Sequence, residues 1–155
     1  STSRGLGDVY KRQAQVEDLQ QLSVLFDEYR QFYGASSNQE LSYQFLKQRF
    51  EDQQTVIFIN TKDDIFTGFI LLYLRFSSVA CSTYYVLDDV YISPPYRRHG
   101  AAKQLIDTAI LFARHENALR ISLETQKTNY QSHKLYESLG FIQDNEFVTF
   151  HCFLK

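Results

Sequence analysis

The sequence predicts a mixed α/β fold in which one sheet carries helices on both faces. Some segments space their apolar residues at helical intervals, whereas others are short apolar runs bounded by turn residues. Residues 84–124 show the pattern strand, helix, strand, and two strands joined by a crossover helix are parallel and adjacent. The expected order of elements is α-α-β-β-β-α-β-α-β.

The first half of the chain predicts two helices and a hairpin. One helical face collects Asp18, Leu19, Leu22, Phe26, Tyr29 and Tyr33. Gly34 ends this helix, and a second helix is expected at about residues 39–51. The apolar runs 55–60 and 65–76 flank a turn at residues 62–64, so we expect them to pair as a hairpin.

The second half predicts three strands and two helices. Strands are expected at residues 84–92, 119–124 and 147–154. The helix between the first two strands has an apolar face made by Ala102, Leu105, Ile106, Ala109 and Phe112. A shorter helix is expected at residues 131–139, where Gly140 provides a C-terminal cap.

Composition narrows the class of protein. A chain of 155 residues with 44% hydrophobic and 22% charged residues is typical of one globular domain. The net charge of −2 argues against general binding to nucleic acid or an anionic membrane. Cys81 and Cys152 are too few for a disulfide framework. Because no apolar stretch approaches the ~18 residues of a membrane span and no signal peptide is recognisable, we expect a cytoplasmic protein.

The first residues need a separate interpretation. The string DVYKRQ, residues 8–13, is one translation of GATGTGTATAAGAGACAG, which resembles a transposon end used in sequencing libraries. We therefore predict that residues 1–13 are an artefact and that residues 14–155 form the single domain. A native first strand is the alternative, because residues 9–14 also fit one.

The stretch SPPYRRHGAAK, residues 93–103, gathers both prolines and several cationic groups in front of a helix. Gly100 allows close approach of a ligand to the backbone, and the helix N-terminus offers unpaired N–H groups. Arg97, Arg98 and Lys103 add positive charge. A local phosphate site and an ordinary basic turn both fit. The stretch lacks the Gly-Lys-Ser/Thr of a Walker loop and the three glycines of a dinucleotide fingerprint.

Two motifs resemble those of the GCN5-related N-acetyltransferase (GNAT) superfamily. LDDVYISPPYRRHGAA, residues 87–102, resembles the family's strand, P-x-x-R-x-x-G-x-G/A loop and helix, with Ala102 where many members have glycine. NYQSHKLYESLGF, residues 129–141, resembles its N-x-x-A/S-x-x-x-Y-x-x-x-G-F signature. The resemblance covers nearly every expected element. It implies a mostly antiparallel sheet whose central parallel strands splay apart to hold acetyl-CoA.

The resemblance implies acetyl-CoA as the acetyl donor. The backbone amides of Arg98 to Lys103 would hold the pyrophosphate, and pantetheine would lie in the slot between the splayed strands. The implied cofactor-binding residues are Val90, Tyr91, Ile92, Arg97, Arg98, His99, Gly100, Ala101, Ala102, Lys103, Asn129 and Ser132. Asn129 could instead cap the helix that follows it, and Ser132 could be a surface residue. No metal site is expected, because the four histidines lack the spacing of metal ligands.

The resemblance also implies the catalytic residues. Tyr136 would protonate the departing thiolate, with core packing as its alternative role. Asp88 and Asp89 are the candidates for the general base. Because adjacent strand residues point to opposite faces, we expect only one of them to face the substrate. Because an aspartate side chain is shorter than a glutamate side chain, Asp88 is also compatible with a water relay. The choice of base therefore stays open.

The resemblance places the acceptor pocket at the first two helices, residues 26–50. The side chains expected to line it are Tyr29, Arg30, Phe32, Tyr33 and Tyr43. The expected acceptor is a small-molecule primary amine. Alternatives are acetylation of a protein N-terminus or lysine, a non-catalytic acyl-CoA-binding module, and a nucleotide-binding protein. By analogy with the family, the final strand offers an edge for a homodimer.

Overall fold

The computed structural model describes residues 9–155 and divides the chain into two units, residues 1–124 and residues 125–155. The first unit contains β1 (Val9–Gln13), α1 (Leu19–Phe32), α2 (Gln39–Asp52), β2 (Thr55–Lys62), β3 (Ile65–Ser77), β4 (Ser82–Ile92), α3 (Ala101–His115) and β5 (Ile121–Ser122). The second unit contains α4 (Tyr130–Ser138). Short 3-10 turns occupy Val16–Asp18 and Pro94–Tyr96.

The strands form one sheet in the order β1-β2-β3-β4-β5. Every neighbouring pair is antiparallel except β4 and β5, which run parallel with Tyr85 opposite Ile121 and Val86 opposite Ser122. The predicted mixed α/β fold is therefore confirmed, with a mostly antiparallel sheet and one parallel pair.

Helices cover both faces of this sheet. Ile57 and Ile59 of β2 pack into a buried cluster with residues of α1 and α2. The residue between them, Phe58, points to the opposite face, where its ring lies 5.5 Å from that of Phe112 in α3. Because both faces are buried, the central strands are continuous apolar runs rather than alternating ones.

Two expected strands differ from the structure. β5 is limited to Ile121–Ser122, shorter than the expected 119–124. The expected strand at residues 147–154 is wrong, because residues 141–155 form neither helix nor strand. Phe147 and Phe150 are 76% and 89% exposed there. An apolar run becomes a strand only where another strand supplies hydrogen-bonding partners, and sequence pattern does not reveal that partner.

At the other end of the sheet, β1 pairs antiparallel with β2, and Gln13 lies opposite Phe58. The origin of residues 1–13 stays a prediction, as does the single domain at residues 14–155, and residues 1–8 lie outside the described part of the chain. No helix in residues 9–155 is both long and apolar enough to cross a membrane.

Candidate active site

β4 contains a bulge at its two carboxylates. Leu71 of β3 lies opposite Asp89, but the next residue, Leu72, lies opposite Leu87, which leaves Asp88 as the extra residue. A bulge re-aims side chains and interrupts the regular alternation of a strand. The expectation that only one carboxylate faces the substrate assumed a regular alternation of side chains. The bulge interrupts that alternation at these two residues. The two carboxyl groups interact, because Asp88 contributes to the raised pKa of Asp89.

Asp89 accepts a short hydrogen bond from the Tyr29 hydroxyl of α1. Burial, together with the neighbouring Asp88 carboxylate, raises the pKa of Asp89 to about 6, against the lowering effect of the Tyr29 hydrogen bond. The pKa of Tyr29 is raised far above its usual range by burial and by Asp89, so its hydroxyl stays a neutral donor. Asp89 is thus a carboxylate whose protonation changes near neutral pH, which is typical of catalytic groups.

Aromatic rings surround this hydrogen bond. The Tyr29 ring packs edge-on against Phe69, with centroids 5.5 Å apart, and lies 5.1 Å from the Tyr33 ring and 5.7 Å from the Tyr91 ring. Phe32, in turn, lies 5.9 Å from Tyr91. Three of the expected aromatic wall residues are therefore brought together next to the carboxylates.

The other two expected wall residues lie elsewhere. Tyr43 packs against the buried cluster beneath α1 and α2. Arg30 pairs with Asp27 and donates to the Ser42 hydroxyl, at 3.3 Å in both cases. Their contacts connect α1 to α2 rather than surrounding Asp89.

One edge of β4 is paired over only a short distance. β5 lies beside Tyr85 and Val86, opposite Ile121 and Ser122, and the Tyr85 N–H donates to the Arg120 carbonyl at 3.1 Å. Among the described strands, none pairs with residues 87–92 on this side, although β3 pairs with them on the other. The pairing of the two parallel strands therefore ends after the second residue pair, and the splaying that the family resemblance implies stays a prediction.

The bulge decides which backbone groups reach the open edge. Before it, Tyr85 turns its N–H toward β5, whereas after it the Ser93 N–H donates to the Thr67 carbonyl of β3 at 2.8 Å. Both residues have odd numbers, so the alternation has reversed between them. The N–H groups of Val90 and Ile92 therefore point to the unpaired edge.

The loop after β4 ends at an uncapped helix. Arg98 and Gly100 both have left-handed backbone, with φ of 66° and 76°, and no side chain caps the first turn of α3. A Cβ at Gly100 would meet nothing within 4 Å, so this glycine is needed for its conformation rather than for space. Free N–H groups at a helix N-terminus form a ready anion site. Arg98, His99 and Lys103 are exposed around it.

Arg97 lies apart from that helix terminus. Its Nε donates to the Ile92 carbonyl at 2.7 Å, and its guanidinium carbon lies 5.0 Å from the Phe32 ring centroid and 5.4 Å from that of Tyr91. The side chain of this expected phosphate ligand is thus engaged with the protein.

The remaining expected residues lie in the second unit. The Asn129 side chain accepts from the Ser132 N–H at 3.3 Å, which is the capping role considered as its alternative. The Tyr136 ring is half-buried and lies 5.6 Å from that of Phe141. Ser132 is half-buried on the first turn of α4.

Sequence reasoning missed two contacts at this site. Tyr29 was expected only as a pocket wall, yet it donates to Asp89, and Glu28 accepts from the Ser93 hydroxyl at 2.9 Å. No local signal connects residues sixty or more positions apart. Within residues 9–155, no cluster of His, Cys, Asp or Glu could hold a metal ion.

Known proteins resemble this chain in sequence and fold. The model of the acetyltransferase (GNAT) family matches residues 22–141. A Bacillus subtilis (strain 168) protein named "Uncharacterized N-acetyltransferase YhfO" is 36% identical over 137 residues, covering 88% of this chain and 92% of that protein.

Solved structures agree with that match. The crystal structure of a probable acetyltransferase has a TM-score of 0.88 and 35% identity, and covers 94% of this chain and 98% of its own. The aminoglycoside N-acetyltransferase AAC(6')-Iy in complex with CoA has a TM-score of 0.78 at 20% identity over 98% of this chain and 99% of its own, a likeness of fold alone. The chain belongs to the GNAT acetyltransferase family and is an N-acetyltransferase.

Proposed function

We propose that this N-acetyltransferase moves the acetyl group of acetyl-CoA directly to a primary amine of a small molecule. The observation that carries the proposal is Asp89, a half-buried carboxylate with a pKa of about 6, which accepts from Tyr29 beside the open edge of β4. In direct transfer the amine nitrogen attacks the thioester carbonyl, the C–S bond breaks, and the sulfur leaves with a proton. Such a reaction needs a base for the ammonium and an acid for the sulfur.

The described residues fit acetyl-CoA, which would supply the activated thioester. The N–H groups of Val90 and Ile92 on the open edge would pair with the pantetheine arm as a neighbouring strand does. The uncapped N–H groups at the start of α3 would hold the pyrophosphate, with Arg98, His99 and Lys103 adding positive charge. An N–H of this edge would also stabilise negative charge on the carbonyl oxygen during attack.

Asp89 takes the base role in this proposal. A pKa of about 6 leaves it ionised at pH 7 while making it a stronger base than an ordinary aspartate. The exposed Asp88 adds negative charge that attracts a cationic amine. The neighbouring rings of Tyr29 and Tyr33 suit the same ligand, because an ammonium binds favourably over an aromatic face.

The acid in this proposal is assigned by family resemblance alone. Tyr136 occupies the tyrosine of the family signature and would protonate the leaving sulfur. Asn129 and Ser132 would border the pantetheine arm.

We expect Tyr136→Phe to lower kcat about a hundredfold, since general acid catalysis contributes ~10²-fold or more. Isothermal titration should show an unchanged Kd for acetyl-CoA, and Tyr130→Phe, on the exposed side of the same helix, serves as the control. Unchanged turnover in Tyr136→Phe would remove this residue from the acid role.

An amine panel tests the function as a whole. The chain is mixed with acetyl-CoA and, separately, spermidine, L-lysine, tyramine, kanamycin and a peptide with a free N-terminus, and thiol release is followed with mass detection of the products. We expect turnover with at least one small amine. Turnover with the peptide alone would favour protein acetylation. Tight acetyl-CoA binding without turnover of any amine would indicate an acyl-CoA-binding module. If ATP competes with acetyl-CoA as well as CoA does, the chain would instead be a nucleotide-binding protein.

The Tyr29 hydrogen bond makes a prediction about pH dependence. Tyr29 lowers the pKa of Asp89, so Tyr29→Phe should raise this pKa and move the acidic limb of kcat/KM to higher pH. Asp88 and Tyr73 are two other ionisable groups that interact with Asp89, and neither changes in this variant. Tyr33→Phe, whose ring also touches Tyr29, should leave the limb in place. A limb in Tyr29→Phe that stays, or moves to lower pH, contradicts the assignment.

A further inference from the structure

We infer that Arg97 is a positioning residue that clamps the loop before α3 to the end of α1, and that its guanidinium is not a phosphate ligand. The inference rests on the proposed function for its effect on the amine, but the clamp itself is a physical contact that can be measured without turnover. It assigns the arginine of the P-x-x-R-x-x-G-x-A motif to the acceptor side of the enzyme.

Arg97 uses both a hydrogen-bond donor and the flat face of its guanidinium. Its Nε donates to the Ile92 carbonyl at the end of β4, at 2.7 Å. Its guanidinium lies over the rings of Phe32 and Tyr91, 5.0 Å and 5.4 Å from their centroids. Tyr91 is buried under these groups, whereas Phe32 is 58% exposed at the C-terminal end of α1. Phe32 is thus held mainly from the side of Arg97 and its neighbouring rings.

A second contact ties the same two elements together. The Ser93 hydroxyl, next to the end of β4, donates to Glu28 of α1 at 2.9 Å. Glu28 and Phe32 are four residues apart and therefore lie on one face of the helix. Between them on the same helix is Tyr29, which donates to Asp89. Arg97 therefore helps to fix the helix that holds the proposed base and lines the acceptor side.

The chemistry of the clamp distinguishes arginine from lysine. A guanidinium can donate from Nε while its flat face stacks on aromatic rings, whereas an ammonium is a compact, strongly hydrated point charge. A phosphate ligand would tolerate lysine, since lysine is itself a common phosphate binder. Replacement by lysine keeps the positive charge but removes the Nε donor and the flat stacking face, and replacement by glutamine also removes the charge.

The first test compares Arg97→Lys and Arg97→Gln, with Arg98→Gln as the matched control on the exposed side of the loop. We expect both Arg97 variants to raise KM about tenfold for the fastest member of the amine panel. An effect of this size is expected because both variants lose a partly desolvated cation–π contact and a hydrogen bond. Their Kd for CoA should keep the salt dependence of the unchanged chain. A cation that pairs with a phosphate makes Kd more dependent on salt concentration, because salt screens the attraction between the two charges.

The opposite result is equally clear. If Arg97→Lys matches the unchanged chain while Arg97→Gln weakens CoA binding and flattens its salt dependence, Arg97 is a phosphate ligand and the inference is overturned. Arg98→Gln shows how large such flattening is when an exposed cation of this loop is removed. Failure of the unchanged chain to bind CoA would count against the proposed function and leave the clamp to the second test.

The second test measures the clamp in the absence of any ligand. Phe32→Leu keeps an apolar side chain but removes the ring, and its exposed position favours folding of the variant. In urea titrations it should raise the unfolding equilibrium constant of the unchanged chain, through loss of the Arg97 contact and of the ring contacts with Tyr33 and Tyr91. In Arg97→Lys the same substitution should have an effect about fivefold smaller, the value of a cation–π contact, because the contact with Arg97 is already lost. Equal effects in the two backgrounds would show that Arg97 and Phe32 are not coupled.

Discussion

Replacing Asp89 with asparagine is expected to lower kcat/KM about a thousandfold at pH 7, because a general base contributes ~10²–10⁴-fold to a rate. The asparagine side chain has the same shape and can still accept from the Tyr29 hydroxyl, so the packing around it is preserved. It has no basicity with which to take a proton from the ammonium. Steady-state kinetics with the fastest amine of the panel measure the loss, and the Kd for acetyl-CoA should stay unchanged.

The pH profile of the unchanged chain gives an independent check. A base must be deprotonated, so kcat/KM should fall as the pH drops below about 6, where Asp89 becomes protonated. Asp88→Asn removes a charge that raises the pKa of Asp89, so the acidic limb should move to lower pH. This variant should also retain much more activity than Asp89→Asn. The reverse order of activities would make Asp88 the base.

Replacing Asp27 with alanine is expected to lower the free energy of unfolding by about 3–5 kcal/mol, the usual cost of breaking a buried charged network. Asp27 is 1% exposed in α1. It accepts from the hydroxyls of Ser37 at 2.7 Å and Ser42 at 2.9 Å, and from the Asn38 N–H at 2.8 Å. One carboxylate therefore fixes the connection between α1 and α2. Alanine would leave the buried Ser42 hydroxyl without its acceptor and would remove the bonds that hold Ser37 and Asn38 to α1.

Urea titration measures this effect, with Asp52→Ala as the control. Asp52 pairs with Arg49 near the surface of α2, so its loss should cost only about 0–1 kcal/mol. Equal unfolding midpoints for the two variants would refute the role given to Asp27.

The same carboxylate makes part of the stability depend on pH. The Ser37 hydrogen bond, with those from Asn38 and Ser42, outweighs the opposing effect of burial and lowers the pKa of Asp27 below its usual 3.8. The stability it contributes is fully present above the unfolded pKa and is lost as the pH falls through the lower folded pKa. Asp27→Ala should therefore differ most from the unchanged chain near neutral pH and approach it in acid.

The periodicity of apolar residues and the spacing of the motifs predicted most of the fold. The apolar face of Ala102, Leu105, Ile106, Ala109 and Phe112 predicted α3, and the strand, helix, strand pattern predicted the parallel pairing of β4 with β5. These signals are local, because hydrogen bonds within a helix and turn geometry depend on residues close in sequence. Local signals could not decide whether residues 147–154 form a strand, because a strand exists only where another strand pairs with it.

The sequence by itself determined the family, the loop that ends at Gly100 and the pair of adjacent carboxylates. Only the tertiary structure decided how those carboxylates are placed, because the bulge at Asp88 depends on the register between β3 and β4. The same holds for Tyr29, which reaches Asp89 from α1, and for Arg97, which stacks on Phe32 instead of standing free in a basic loop. The pKa of a carboxylate and the task of a guanidinium follow from burial and from neighbours distant in sequence, and the packed chain alone brings those together.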